Sequence, residues 1–285
     1  MGLDFYSVAN DSVDGHYALF VRPPAVADPD SILPRRMIFV LGNSSSMFGY
    51  KLSSSVDAKS RALDSLTPQD QFNVIVFNSS TNKWQALPVA ATPGNIDDAK
   101  TFLAGISSSS GSRLDLALLD ALAQITDDAA SNAILLFTDG RAMVDPEEIE
   151  SGNTFKTGIF PIGIGDNLDR ARLEMIAGLN YGFVRYFDEN DNLKDGIHQV
   201  IRQVSQPVLM DVAFEYGRAN VYDIMPKKIP TTYAGGYFFT TGRYAHPVRS
   251  AFAMAGKSVS GVTVFGFHLN FSADTHENKF VEYLW

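Results

Sequence analysis

No cysteine occurs among the 285 residues, which excludes disulfides, thiolate zinc sites and thiol catalysis. The lack fits the cytoplasm, and equally an extracytoplasmic protein that never used disulfides. No apolar run approaches the roughly 18 residues that a membrane span needs. The opening Met1-Gly2-Leu3-Asp4 has neither the basic nor the apolar region of a signal peptide. Positive charge is in short supply as well. Lys and Arg number 23 against 32 Asp and Glu, for a net charge of −9. Such a surface repels nucleic acid and anionic lipid. The densest basic spots, Arg35-Arg36 and Lys227-Lys228, are mere pairs, and they read as solvated strand or loop ends. The chain stops at Tyr283-Leu284-Trp285, a strand-like end without a tail that reads as a cut within a longer protein.

What is present falls into two textures. Residues 1–32 and 207–285 are rich in Tyr, Phe, Val, Thr and Gly with little helical periodicity. The middle alternates short β-rich runs with amphipathic stretches, the pattern of βα units around a mostly parallel sheet. Strands are expected at Met37–Leu41, Gln71–Asn78, Asn132–Thr138, Thr157–Ile164 and Phe183–Phe187, with Asn82–Leu87 as an antiparallel edge. Helices are expected at Lys51–Leu66, Asn95–Ile106, Leu114–Ile125, Leu168–Leu179 and Leu193–Val204. The runs Met37–Leu41 and Asn132–Thr138 are apolar throughout, as strands buried on both faces should be. The expected fold is thus α/β, a doubly wound, mostly parallel six-stranded sheet over residues 33–206. Residues 1–32 plus 207–285 are expected to form a second, discontinuous antiparallel β-sandwich. Its strands are read at His16–Val21, Val208–Tyr216, Ala219–Ile224, Gly236–Gly242 and Gly261–Phe271, with a last one at Phe280–Trp285.

Open α/β sheets bind ligands outside the carboxyl ends of their strands, where strand order reverses. Three loops converge there: Gly42-Asn43-Ser44-Ser45-Ser46, Ser110-Gly111-Ser112-Arg113 and Asp139-Gly140. Hydroxyls and one carboxylate are oxygen donors, suited to a hard cation such as Mg²⁺.

The run from Met37 to Met47, the stretch Ser110-Gly111-Ser112-x-Leu114-x-x-Ala117-Leu118, and Leu136-Phe137-Thr138-Asp139-Gly140 together resemble von Willebrand factor A domains. The resemblance implies a metal-ion-dependent adhesion site: Asp-x-Ser-x-Ser on the first loop, Thr on the second and Asp on the third. It implies a Mg²⁺ whose shell a partner protein's Asp or Glu completes. Carried over by position, Ser44 and Ser46 are the two serines, Ser112 stands for the threonine and Asp139 is the third-loop aspartate. The first-loop aspartate is Gly42 here, and the usual glycine between the serines is Ser45. One carboxylate then remains of two. A hard cation keeps its waters unless ligand charge compensates for them, so weakened binding is expected. The flanks, His16–Pro24 with Leu33-Pro34-Arg35, Tyr222–Pro226, Gly242-Arg243-Tyr244 and Phe280–Trp285, are similar to those of the inter-α-trypsin inhibitor heavy-chain type.

A serine hydrolase is the rival reading. Gly42-Asn43-Ser44-Ser45-Ser46 sits where a Gly-x-Ser-x-Gly elbow would, and Asp139 and His198 follow in the order of one triad class. Ser46 in place of the second glycine, and His198 in mid-helix, argue against it. His16, His246, His268 and His276 lack ligand spacing. Asp166, Asp169, Asp188, Glu189 and Asp191 read as loop and capping carboxylates. Trp84 and Trp285 read as packing residues. The expectation is therefore a non-enzymatic, extracytoplasmic protein-binding domain acting through its strand-end rim, with a structural spacer in a surface assembly as the remaining alternative.

Overall fold

The computed structural model describes residues 1–10, 14–25, 30, 32–44, 56, 60, 62–142, 144–188, 191 and 193–285. They form two compact units, one of Pro34–Ser205 and one of Met1–Leu33 with Gln206–Trp285.

The continuous unit is built on a mixed sheet. Strands β1 (Gly2–Ala9) and β2 (Gly15–Arg22) belong to the other unit. The sheet here contains β3 (Arg35–Gly42), β4 (Gln71–Phe77), β5 (Thr81–Lys83), β6 (Val89–Ala90), β7 (Ser131–Thr138), β8 (Gly158–Ile164) and β9 (Arg185–Phe187). Its order is β5-β4-β3-β7-β8-β9, with β6 also paired to β4. The expected count of six strands is corrected to seven, because the segment after β4 splits into two short antiparallel pieces rather than one strand over Asn82–Leu87. Trp84 lies between them and stacks on Phe72 at 5.1 Å.

β3 is buried at every position, and β4 and β7 flank it in parallel register, with Leu41 opposite both Val76 and Phe137. Its even-numbered side chains, Ile38 and Val40, join a core with Ile75, Ile134, Leu136 and Ile159. Helix α2 (Leu114–Leu122), which follows α1 (Pro93–Ala104), covers that face with Leu114, Ala117, Leu118 and Ala121. These lie at three- and four-residue spacing, so they share one helical stripe. Its odd-numbered side chains, Met37, Phe39 and Leu41, are equally buried, so both faces of the sheet are covered. α3 (Pro146–Gly152), absent from the sequence expectation, contributes only Ile149 to the core. α4 (Arg170–Leu179) and α5 (Leu193–Val204) follow β8 and β9. The helix expected at Lys51–Leu66 lies mostly outside the described residues; of those described, 56, 60 and 62–64 are helical.

Arg35 and Arg36 are not solvated. Both are buried, at 6% and 7% exposure. Arg35 Nε donates to Asp70 Oδ1 at 2.9 Å, and its Nη2 pairs with Asp70 Oδ2. The backbone N–H of Arg35 and the N–H and hydroxyl of Thr67 saturate the same carboxylate. Burial alone would raise the pKa of Asp70. The Arg35 guanidinium and the Thr67 donors outweigh burial and hold it below the usual value. Arg36 reaches Asp127 with both carboxylate oxygens at 3.1 Å. The two arginines therefore clamp the amino end of β3 to the turns that precede β4 and β7.

The other unit holds two antiparallel four-stranded sheets. The first has the order β1-β2-β13-β11, with β11 at Val221–Met225 and β13 at Phe238–Tyr244. The second is β12-β10-β14-β15, comprising Pro207–Glu215 (β10), Thr232–Tyr233 (β12), Val248–Ser258 (β14) and Gly261–Phe271 (β15). One apolar cluster draws Tyr17, Leu19 and Val21 from the first sheet and Leu209, Phe252, Met254, Leu269 and Phe271 from the second. Leu33 N–H donates to Pro207 O at 3.0 Å, tying the two chain segments of this unit together. β1, β12 and β14 are absent from the sequence expectation. The expected last strand at Phe280–Trp285 is corrected: Lys279–Tyr283 is a 3-10 turn behind a left-handed Asn278. Its Val281 is fully buried against Val8 and Ala18, so apolar anchoring on the outside of the first sheet replaces a strand ladder. Trp285 is half exposed, with its ring 5.3 Å from His16 and its Nε1 donating to Asp223 O at 3.0 Å.

Replacing Asp70 by Ala leaves a guanidinium buried without its counter-charge, a change of the kind that costs about 3–5 kcal/mol. Urea unfolding of the variant should register a loss of that size. Because the folded pKa of Asp70 is depressed, its contribution is complete at neutral pH and is lost as pH falls below the ordinary carboxylate value of 3.8. Acid titration should therefore destabilise the parent protein more steeply than the variant.

Candidate functional site

Along the sheet, β4 leaves β3 on one side and β7 leaves it on the other, so strand order reverses between β3 and β7. That crevice is where open α/β sheets place ligands. The loop after β3 starts at Asn43, and the loop after β7 starts at Asp139. Leu41 and Phe137 are register partners two residues earlier in each case, so Asn43 and Asp139 stand side by side.

The second loop is attached to the first by the backbone. Ser109 N–H donates to Asn43 O at 2.8 Å, and Ser44 forms an isolated parallel bridge with Ser109. Asn43 itself, only 6% exposed, donates its amide to Ser107 O at 2.8 Å and accepts from Asn78 Nδ2 at 3.3 Å. Further along, Arg113 N–H donates to Asn78 O at 2.6 Å. Between these ties Gly111 adopts φ +88°, and a Cβ there would lie 2.7 Å from Ser79 Cβ, so only glycine fits. Ser112, half-buried, is thereby held between the β4 end and the start of α2. Arg113 then turns away and pairs with Asp115 at 2.7 Å, which lowers the pKa of Asp115 through that hydrogen bond.

Asp139 is 4% exposed. Its Oδ1 accepts from Arg141 N–H at 3.3 Å, whereas Oδ2 is buried and meets no donor among the described residues. Gly140, at φ +73°, turns the chain where a Cβ would lie 3.0 Å from Leu173. An unpaired buried carboxylate oxygen is costly, and a cation or ordered water is the ordinary partner for one.

Of the site residues expected from sequence, Ser44 and Asp139 thus lie at the mouth of one crevice, and Ser112 lies on the loop bridged to Ser44. Ser46 lies outside the described residues. Gly42 is fully enclosed; a Cβ there would stand 3.1 Å from Phe77 Cζ, so the Phe77 ring crowds the space an aspartate would enter. No cluster of three or more His, Asp or Glu suited to a metal occurs among the described residues. His198 is exposed in the middle of α5 and makes no hydrogen bond among the described residues, so Ser44, Asp139 and His198 form no bonded series. Asp169 caps α4 by accepting from Arg172 N–H at 3.1 Å, and Asp188 and Asp191 accept from each other's backbone N–H.

Sequence reasoning offered Asn43 only as a possible amide-oxygen ligand and passed over Asn78, whereas the two tie the loops together. It also missed a cleft of about 630 Å³ lined by Asp115, Asp145, Glu148, Asp169, Arg172 and Met175 among others. The cleft opens among the amino ends of α2, α3 and α4. The only sequence hint was Asp145-Pro146, a helix-start signal.

These features define a class. The chain belongs to the von Willebrand factor type A domain family, whose family model matches residues 37–203, more than half of its length. Among curated proteins it is similar to inter-alpha-trypsin inhibitor heavy chain H2 of Sus scrofa, at 27% identity over 81% of this chain and 26% of that protein. It thus spans about a quarter of the length of the curated relatives it matches. Among solved structures it resembles a von Willebrand factor type A protein from Catenulispora acidiphila (TM-score 0.77, 15% identity, 98% of this chain and 75% of that one). It also resembles proximal thread matrix protein 1 from the mussel byssus with a zinc-occupied MIDAS motif (TM-score 0.53, 18% identity, 67% of this chain and 51% of that one).

Asn43→Ala removes both side-chain ties between the loops and leaves Ser107 O without its donor. A loss of about 1–3 kcal/mol is expected in chemical denaturation, with amide exchange rising at residues 107–113 rather than throughout the sheet.

Proposed function

We propose that this protein is a non-enzymatic adhesion-type module that holds a partner protein at the rim formed by Ser44, Ser112 and Asp139, with Ser46 completing the first loop. The observation that carries the reading is the buried Oδ2 of Asp139, which meets no donor among the described residues, at the crevice between β3 and β7. The donor set fits a hard divalent cation such as Mg²⁺ in kind, since every member offers oxygen. It falls short in charge, because Gly42 supplies no carboxylate and Phe77 crowds that position. Ser44, Ser112 and Asp139 would hold the ion, and the ion would supply the positive charge that a partner's Asp or Glu side chain meets. The partner's carboxylate replaces the charge that Gly42 lacks, so metal and partner bind cooperatively.

We assign residues 33–206 to the binding domain and residues 1–32 plus 207–285 to a β-sandwich support. The family likeness favours an extracytoplasmic setting (secreted, periplasmic or surface-attached). The zinc-occupied MIDAS motif of the mussel protein supports a metal at the equivalent rim here.

Calorimetry with Mg²⁺ and Mn²⁺ tests the site. The parent chain should bind weakly, with Kd of about a millimolar, and Asp139→Ala should abolish the heat. Gly42→Asp, combined with Phe77→Leu to make room, should tighten binding about tenfold or more. Binding that survives Asp139→Ala unchanged would place the metal elsewhere and remove this reading.

A further inference from the structure

Val8, His16 and Arg243 are register partners across β1, β2 and β13, so their side chains stand in one row on one face of that sheet. Tyr17, Leu19 and Val21 point from the opposite face into the core of the unit. Residues 279–285 lie over the row. At one end Val281 is fully buried against Val8 and Ala18, and Phe280 meets Tyr6 in a T-shaped contact at 5.4 Å. At the other end the Trp285 ring is 5.3 Å from the His16 ring and 5.6 Å from the Arg243 guanidinium. The indole Nε1 also donates to Asp223 O. His16 therefore sits under a strap that is fastened on both sides of it.

The polar groups beneath the strap are incompletely paired. Arg243 is held by Asp14, whose carboxylate also takes the Tyr222 hydroxyl, and it lies 3.9 Å from Asp223. Its Nε and the Nδ1 of His16 are both buried and meet no hydrogen-bond partner among the described residues. An imidazolium carries a proton on each ring nitrogen. Under the strap its Nδ1–H would have no acceptor and its charge would face that of Arg243. A stranded buried donor costs more than a half-exposed indole returns to a cation. Glu282 on the strap and Asp14 in the connection between β1 and β2 attract the charge. Burial first and Arg243 second outweigh them, holding the His16 pKa below its ordinary value of 6.5.

We propose that protonation of His16 loosens residues 279–285 from the sheet, making them an acid-sensitive strap over the apolar strip of Val8 and Ala18. With the strap released, His16 regains water and takes up a proton at its ordinary value of 6.5, whereas the docked form resists the proton. Docking is therefore complete above that pH and weakens as pH falls through it. The loss amounts to about tenfold per pH unit at most, and it ends where the docked form protonates as well. Asp14 keeps its charge over this range, because the Tyr222 hydroxyl and Arg243 hold its pKa below 3.8. The anchor of Arg243 is thus unchanged while His16 titrates.

Residue-resolved amide exchange of the 285-residue chain, corrected for intrinsic exchange rates, tests this. Val281 and Leu284 donate their N–H groups within the strap. Between about pH 7.5 and about pH 5.5 their protection should fall by about twofold to tenfold, while the amides of β2 hold theirs. His16→Phe keeps an aromatic ring against Trp285 and cannot titrate, and His16→Gln cannot titrate but stays polar. In both, protection of the strap should be flat across the range. His276→Gln is the control, since His276 lies in the exposed stretch before the strap, and the fall should persist in it. Constant protection in the parent chain overturns the proposal. So does a fall that survives in both His16 variants, or one that disappears in His276→Gln. None of these outcomes bears on metal binding at Asp139.

Discussion

Everything at the rim depends on β3 being paired on both sides by parallel neighbours while buried on both faces. A strand so enclosed has no freedom to shift register, since one residue of slip would exchange its two apolar faces and break two ladders at once. Its amino end is fixed by charge, through Arg35 on Asp70 and Arg36 on Asp127. Its carboxyl end is fixed by the amide of Asn43, which spans to Ser107 and Asn78. The loops that follow β3 and β7 are consequently delivered to one crevice, and Asp139 is delivered with a carboxylate oxygen that meets no donor among the described residues. Rigid placement of an unsatisfied group is how a binding rim differs from an ordinary polar loop.

The donor chemistry also sets the limits of the site. Oxygen ligands with a single carboxylate favour a hard ion only weakly, and Phe77 fills the neighbourhood where a second carboxylate would enter at Gly42. On the proposed function such a rim would gain selectivity from its partner, the ion being retained when a carboxylate from outside supplies the missing charge.

Much of the α/β unit was readable from residue order, because strands buried on both faces appear as unbroken apolar runs and the helices between them carry apolar stripes. The bounds of α4 and α5 and the turn at Asp139-Gly140 followed from such signals. Other elements left weaker traces. β14, VRSAFAMAGKS, is made of small and flexible residues with low β-propensity and is held as a strand by its neighbours on both sides. α3 buries only Ile149, too little for a periodicity. The final residues look β-rich, yet Asn278 in a left-handed conformation and the anchoring of Val281 turn them into a 3-10 segment. Arg35 and Arg36 looked solvated because their partners, Asp70 and Asp127, are distant in sequence. The placement of Ser44, Ser112 and Asp139 on loops at the strand ends was legible from residue order. The role of Asn43 was not, since it depends on Asn78 and Ser107, which only the folded chain brings near.

The central claim is that a divalent cation seats on Asp139 and the hydroxyls of the neighbouring loops. Anomalous diffraction from crystals grown with Mn²⁺ tests it most directly. The account predicts a single peak about 2.0–2.3 Å from Asp139 Oδ2, with serine oxygens of the first and second loops in its shell. A crevice empty of signal at millimolar Mn²⁺, with the Asp139 carboxylate satisfied by protein donors instead, would contradict it.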